Sequence, residues 1–211
     1  MTKNNTIALL GGGGRTGKYI IEELLSKGYQ VKLLLRAPEK FQIESLLIKI
    51  YQGDALDKSA VSLLIEDCSA VINTLSQRKD EPLVASKATR LVLESMNRLK
   101  IMRYISVAGL NVDTPFDKKS VETTAATEWM KANFPLIHED RQKAYTLLSQ
   151  SNVDWTLVRV PFIEFSDNKS KIKIDLEDCP GSKINAADIA TFVVQQFSDQ
   201  TYIKKAPFIT N

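Results

Sequence analysis

An α/β fold, built as a doubly wound parallel sheet in a three-layer α/β/α arrangement, is predicted by three observations on the 211-residue chain. A short apolar run passes through a glycine-rich turn into an amphipathic helix within the first 28 residues. Apolar strand-like runs then alternate with helical patterns nearly to the end, as successive β-α-β units require. No repeat, linker or composition shift breaks the alternation, so residues 1–211 read as one domain of a size that a single core can fill.

Ile7, Ala8, Leu9 and Leu10 make the first strand, of the fully buried type. Ile20, Ile21, Leu24 and Leu25 recur at helical spacing, and Gly28 stops that helix. Residues 30–35 supply the second strand, and further strands are expected near 48–52, 70–74, 103–106 and 156–160, with a short last one near 207–210. Helices fill the intervals, most clearly at 56–65, 83–99 and 138–150, and a helix over 186–197 closes the core. The two least regular stretches, 110–120 and 164–183, follow carboxyl ends of strands, where open α/β sheets bind ligands, and are candidate substrate loops.

The glycine turn carries the first functional signal. A pyrophosphate needs backbone N–H donors at close range, and a helix N-terminus offers them with the favourable end of the helix dipole. Gly11, Gly14 and Gly17 stand at G-x-x-G-x-x-G spacing, while Gly12 and Gly13 also admit the G-x-G-x-x-G register. With Arg15 and Thr16 they form a dinucleotide turn in the strand-turn-helix context such a motif needs. The end of the second strand, about 20 positions on, faces the adenosine ribose in such folds. The residue there is Arg36. An acidic group would accept from a free 2′-OH and repel a 2′-phosphate, whereas a guanidinium clamps the phosphate, so NADP(H) is expected over NAD(H). The other reading of Arg36 is a solvated loop charge.

Composition excludes several classes. Hydrophobic residues make up 44% and charged residues 25%, and no apolar run approaches the ~20 residues of a membrane span. The start, Met-Thr-Lys-Asn-Asn, lacks the apolar stretch of a secretory signal, and a cytoplasmic location is expected. Cys68 and Cys179 stand alone, as a buried thiol and a loop thiol, and a single histidine, His138, argues against a histidine metal site. A net charge of +3 is too small to imply nucleic acid. A small-molecule acceptor acting on a monomer or small homo-oligomer is the expected setting.

The segments Gly11-Gly-Gly-Gly14-Arg15-Thr16-Gly17, Leu35-Arg36-Ala37-Pro38, Gly53-Asp54-Ala55-Leu56-Asp57, Tyr104-Ile105-Ser106 and the stretch 151–161 ending in Pro161 together resemble the atypical short-chain dehydrogenases. Within them the chain is similar to the small NAD(P)H-binding proteins related to NmrA, flavin reductases and biliverdin reductase B. The resemblance implies a Rossmann-like fold with the dinucleotide across the strand ends. It also implies that Asp54 bonds the adenine amino group, that Thr74, Leu75 and Ser76 pass beneath the nicotinamide-side ribose, and that Pro161 and Phe162 border the nicotinamide. Local readings stand beside these: Gly53-Asp54 as a turn pair, Thr74 and Pro161 as strand ends.

Members of the group typically carry a Tyr-x-x-x-Lys pair that moves a proton, and this chain has none: Ile137 and Arg141 fall where it would stand. Ser106 matches the family serine, or is a hydroxyl capping its strand. His138 is a candidate proton donor, or a surface or capping residue. The expectation is therefore an NADPH-dependent reductase of flavins, quinones or related conjugated compounds, in which cofactor and acceptor carry the chemistry and flavin is substrate rather than tightly bound. The alternatives are a non-catalytic NmrA-like redox sensor and, third, a nucleotide-sugar epimerase or dehydratase.

Overall fold

The computed structural model describes residues 5–77, 81 and 83–211. Its first half is a run of parallel β-α units: β1 (Thr6–Leu10), α1 (Arg15–Ser26), β2 (Gln30–Leu35), β3 (Ile48–Gln52), α2 (Lys58–Ile65), β4 (Ala70–Asn73), α3 (Val84–Leu99) and β5 (Arg103–Gly109). Then come α4 (Val121–Asn133), α5 (Pro135–Ser149), β6 (Asp154–Val160), β7 (Phe162–Glu164), β8 (Lys173–Asp175), β9 (Lys183–Asn185), α6 (Ala186–Gln195) and β10 (Phe208–Thr210). The eight-stranded sheet runs in the order β3-β2-β1-β4-β5-β6-β10-β8, parallel except for β8 on β10. A separate parallel pair joins β7 to β9. This is the expected Rossmann-like fold.

The chain builds outward from β1 to β2 and β3, then returns to lay β4 on the other side of β1. That reversal opens a crevice at the carboxyl ends of β1 and β4. Alternation along the strands divides the core: Ala8 and Leu10 face one layer with Val61, Leu64, Val92, Met96 and Leu148, while Ile7 and Leu9 face the other with Ile20, Ile21, Leu24, Ile189 and Phe192. Parallel strands covered on both faces read as unbroken apolar runs, which is why β1 is buried at all five positions.

Local chemistry sets the ends. The Asp57 carboxylate accepts from the Ser59 N–H at 2.8 Å, so α2 begins at Lys58 rather than at 56. α3 lacks a cap of its own, and Asp140 on α5 accepts from the Ala85 N–H at 2.8 Å instead. Three expectations need correcting. The helix expected from 138 starts at Pro135, a residue suited to a first turn, and α4 fills a stretch for which no helix was expected. The loop expected over 164–183 also contains the last residue of β7, all of β8 and the first residue of β9.

Candidate active site

Backbone approach explains the glycine spacing. Gly11 has φ of 86°, and a Cβ on it would lie 2.6 Å from Thr74 Oγ1 and 2.9 Å from the Leu75 nitrogen. A Cβ on Gly17 would overlap the Gly11 carbonyl oxygen and stand 2.7 Å from the Gly12 Cα. Gly11 thus lets the turn press against the segment after β4, and Gly17 lets α1 press against the turn. Gly14 is exposed, N-caps α1 in extended conformation, and donates to the Gly11 carbonyl at 2.9 Å. Gly13 is exposed beside Leu35, whereas Gly12 is buried against Leu33 and Ile21. No side chain caps α1 and no acidic residue sits in its first turn, an arrangement suited to an anion. These residues fit a dinucleotide pyrophosphate.

The loop after β7 folds over this turn. The Arg15 guanidinium stands 4.0 Å from the Phe165 ring centroid, and Lys169 pairs with Glu23 of α1 at 2.9 Å. Thr16 follows Arg15 in the same first turn. Arg36 is exposed immediately past β2, and its side chain has no hydrogen bond or ion pair among the described residues.

On the crevice floor, the Thr74 hydroxyl donates to the Leu10 carbonyl at 3.2 Å, and the Leu75 N–H donates to Asn73 Oδ1 at 2.9 Å. Ser76 is exposed just beyond. Asp54 Oδ1 accepts from the Leu56 N–H at 2.9 Å, which is the turn chemistry weighed against adenine contact.

Beside the crevice lies a cavity of about 530 Å³. Pro161 and Phe162 line it, together with Trp129, Met130, Ile137 and Arg141. Phe162 is 73% exposed, so its ring is available to a planar ligand. Arg141 Nη2 donates to the Leu75 carbonyl at 2.7 Å and ties the cavity wall to the crevice floor. Asn111 and Gln77 add polar groups at the rim.

The two proton-transfer candidates occupy different surroundings. His138 is buried rather than capping, with Nδ1 3.1 Å from the Asn111 amide nitrogen. With that amide as donor, the neutral ring carries its proton on Nε2. Burial first, then the Lys131 charge, hold its pKa below the ordinary value against the pull of Asp113. Ser106 is buried too and lines a small interior space with Asn73, Thr89 and Arg141 beneath α5. Arg141 is the one side chain common to that space and the larger cavity.

Sequence reasoning missed Asn111, Trp129, Met130 and Gln77 as cavity residues. Asn111, two positions beyond β5, and an unexplained Trp129 were the available signals. Cys68 is buried, with burial pushing its thiol up to about 11. Cys179 lies in its loop as expected but is also buried. Among the described residues there is no cluster of three metal-ligating side chains, and no helix is long and apolar enough to cross a membrane.

Residues 11–200 match the family described as NAD(P)H-binding. The chain is 21% identical over 155 residues to the uncharacterized protein YwnB of Bacillus subtilis, covering 72% of this chain and 70% of that protein. Among solved structures it is similar to a short-chain dehydrogenase/reductase of Veillonella parvula in complex with NADP, with a TM-score of 0.83, 13% identity and coverage of 98% and 94%. The oxidoreductase ylbE of Lactococcus lactis gives a TM-score of 0.82, 17% identity and coverage of 98% and 90%. At such identities these likenesses carry the fold.

Proposed function

The chain belongs to the NAD(P)H-binding family, and we propose that it is an NADPH-dependent reductase passing hydride to a flavin, a quinone or a related conjugated small molecule. The carrying observation is the cavity beside the crevice, walled by Trp129, Met130, Ile137 and Phe162 and lacking a tyrosine-lysine pair. Flat apolar walls suit a planar acceptor. NADPH, when bound, supplies the hydride. The glycine turn and the start of α1 hold the pyrophosphate, Arg36 engages the 2′-phosphate, and Pro161 and Phe162 fix the nicotinamide edge. Arg36, whose side chain has no partner among the described residues, supports NADPH, as does NADP in the Veillonella parvula structure. Protons come from solvent, with Ser106 and His138 as auxiliary groups. A cytoplasmic monomer or small homo-oligomer, without nucleic acid, belongs to this reading.

One observation favours a sensor instead. Phe165 on Arg15 and Lys169 on Glu23 place a surface loop over the cofactor turn, so occupancy reaches a face that a protein partner can read. The deciding experiment follows reduced-nicotinamide absorbance with FMN, FAD, quinones and a dye acceptor, with NADH alongside. Saturable oxidation above the protein-free rate supports the reductase; NADPH binding without oxidation by any acceptor replaces it with the sensor.

A further inference from the structure

A concavity larger than the cavity beside the crevice lies away from it, on the other flank of α5. It encloses about 990 Å³ between α5, β6, the 113–116 loop, the segment after β8 and the segment before β10. Its walls include Phe116, Tyr145, Trp155 and Leu176, with Lys204 and Lys205 at one side. None of its lining residues lines the cavity beside the crevice. α5 separates the two: Ile137 and Arg141 face one, while Tyr145, Thr146 and Ser149 face the other.

The charges in this cleft are unequal in availability. Its two acids are already neutralised: Asp113 pairs with Lys119 at 2.6 Å, and Glu177 pairs with Lys118 at 2.8 Å. The Arg159 guanidinium is consumed by Asp117 and by the carbonyls of Ala206 and Val112. The side chains of Lys204 and Lys205 are exposed and have no hydrogen bond or ion pair among the described residues. Lys204 is held at φ of 55°, in the left-handed region, with its N–H donating to the Trp155 carbonyl at 2.6 Å. Trp155 is 4% exposed, and its indole nitrogen has no hydrogen-bond partner among the described residues. An apolar aromatic floor and two uncompensated cations describe one kind of guest.

We propose that this cleft is a second ligand site, separate from the dinucleotide crevice, for a planar aromatic or conjugated small-molecule anion. The ring lies against Tyr145, Trp155 and Phe116, and the anionic group faces Lys204 and Lys205. A volume near the upper end of single-ligand pockets, together with concave walls, favours a small molecule over a flat protein partner.

The test uses anilinonaphthalene sulfonate as the probe. Trp129→Phe leaves Trp155 as the sole tryptophan, so binding in the cleft quenches the remaining emission saturably. Lys204→Glu with Lys205→Glu is expected to weaken the probe about tenfold, as reversing two partly exposed charges does. Reversing Lys49 and Lys100, exposed elsewhere, is expected to leave it unchanged. Saturating NADPH is expected to leave probe affinity unchanged. The proposal is overturned by absence of saturable quenching, by equal weakening in both double variants, or by displacement with NADPH. It is also overturned if sedimentation finds a dimer that the probe dissociates, because a second copy of the chain then fills the cleft.

Discussion

The guanidinium of Arg141, on α5, donates at 2.7 Å to the main-chain carbonyl of Leu75, just past β4. One charged hydrogen bond thereby joins the wall of the cavity lined by Pro161 and Phe162 to the floor of the crevice at the ends of β1 and β4. The resemblance to short-chain dehydrogenases implies a lysine at this position, paired with a tyrosine. Here the neighbour four residues earlier is Ile137, and the cation holds backbone instead. Replacing Arg141 with Met removes the donor while keeping most of the stem. A hydrogen bond to a charged group contributes about 1.5–3 kcal/mol of stability, so the variant is expected to unfold at lower denaturant and, with the crevice floor untethered, to bind NADPH more weakly, with Arg141→Lys recovering part of both. Equal affinities in all three proteins by fluorescence titration would show that the Leu75 carbonyl needs no tether.

Arg36 reads the cofactor's 2′ position in the proposed function. Arg36→Asp removes the guanidinium and introduces repulsion, so NADPH is expected to weaken on the order of a hundredfold while NADH changes little. The residue is exposed, and the fold should tolerate the change. Isothermal titration with both cofactors checks it; equal losses for the two would mean that Arg36 does not meet the phosphate.

Gly17 is where the turn and α1 touch most closely. Even a methyl group there meets backbone on two sides rather than a side chain that can swing away. Gly17→Ala is expected to lose about 1–3 kcal/mol of stability from overpacking and to weaken both cofactors together. Denaturant unfolding and NADPH titration on the same variant test the two effects. Gly14→Val places a Cβ 3.2 Å from the Gly11 carbonyl oxygen and a poor N-cap on α1, so it should impair binding of both cofactors at a smaller cost in stability than Gly17→Ala, checked by the same pair of measurements.

These elements also mark how far the sequence could be read. β1 through β4 and the glycine register were legible because buried parallel strands are continuous apolar runs and because Gly11, Gly14 and Gly17 recur at a fixed interval. α4 was not, since its buried residues are Thr123 and Thr127, which leave no apolar stripe to detect. β10 was read near its place, but β7, β8 and β9 are three-residue strands whose partners are distant in sequence, too short for alternation to register. Pro161 and Phe162 were placed by resemblance. The cavity they border also needs α4 and the start of α5, and only the folded chain brings Trp129 to Phe162.

The 110–120 stretch lacks regular structure yet is anchored by charge. Arg159, fully buried in β6, donates to both oxygens of Asp117 at 2.8 and 2.7 Å, and the Thr114 hydroxyl donates to the same carboxylate at 2.6 Å. Breaking a buried pair from one side leaves a charge uncompensated. Asp117→Asn is therefore expected to cost about 3–5 kcal/mol and to loosen the loop between the two cavities. A melting temperature close to the wild-type value would show that the carbonyls of Val112 and Ala206 suffice for Arg159.

His138 gives the chain a pH signature that a second protein can isolate. Burial, reinforced by the Lys131 charge, keeps its folded-state pKa below the ordinary value of about 6.5. As pH falls through that ordinary value, the unfolded chain takes up the proton first, so the neutral buried ring favours folding above about pH 6.5 and loses that advantage below it. The loss stops once the folded-state pKa is passed. His138→Gln keeps a polar group beside Asn111 but cannot titrate, so comparing urea unfolding at about pH 7.5 and about pH 5.5 cancels the carboxylates common to both proteins. The wild type is expected to lose more stability than the variant over that interval. Parallel losses would mean that the ring takes up its proton as readily in the folded protein as in the unfolded chain, despite its burial against Asn111.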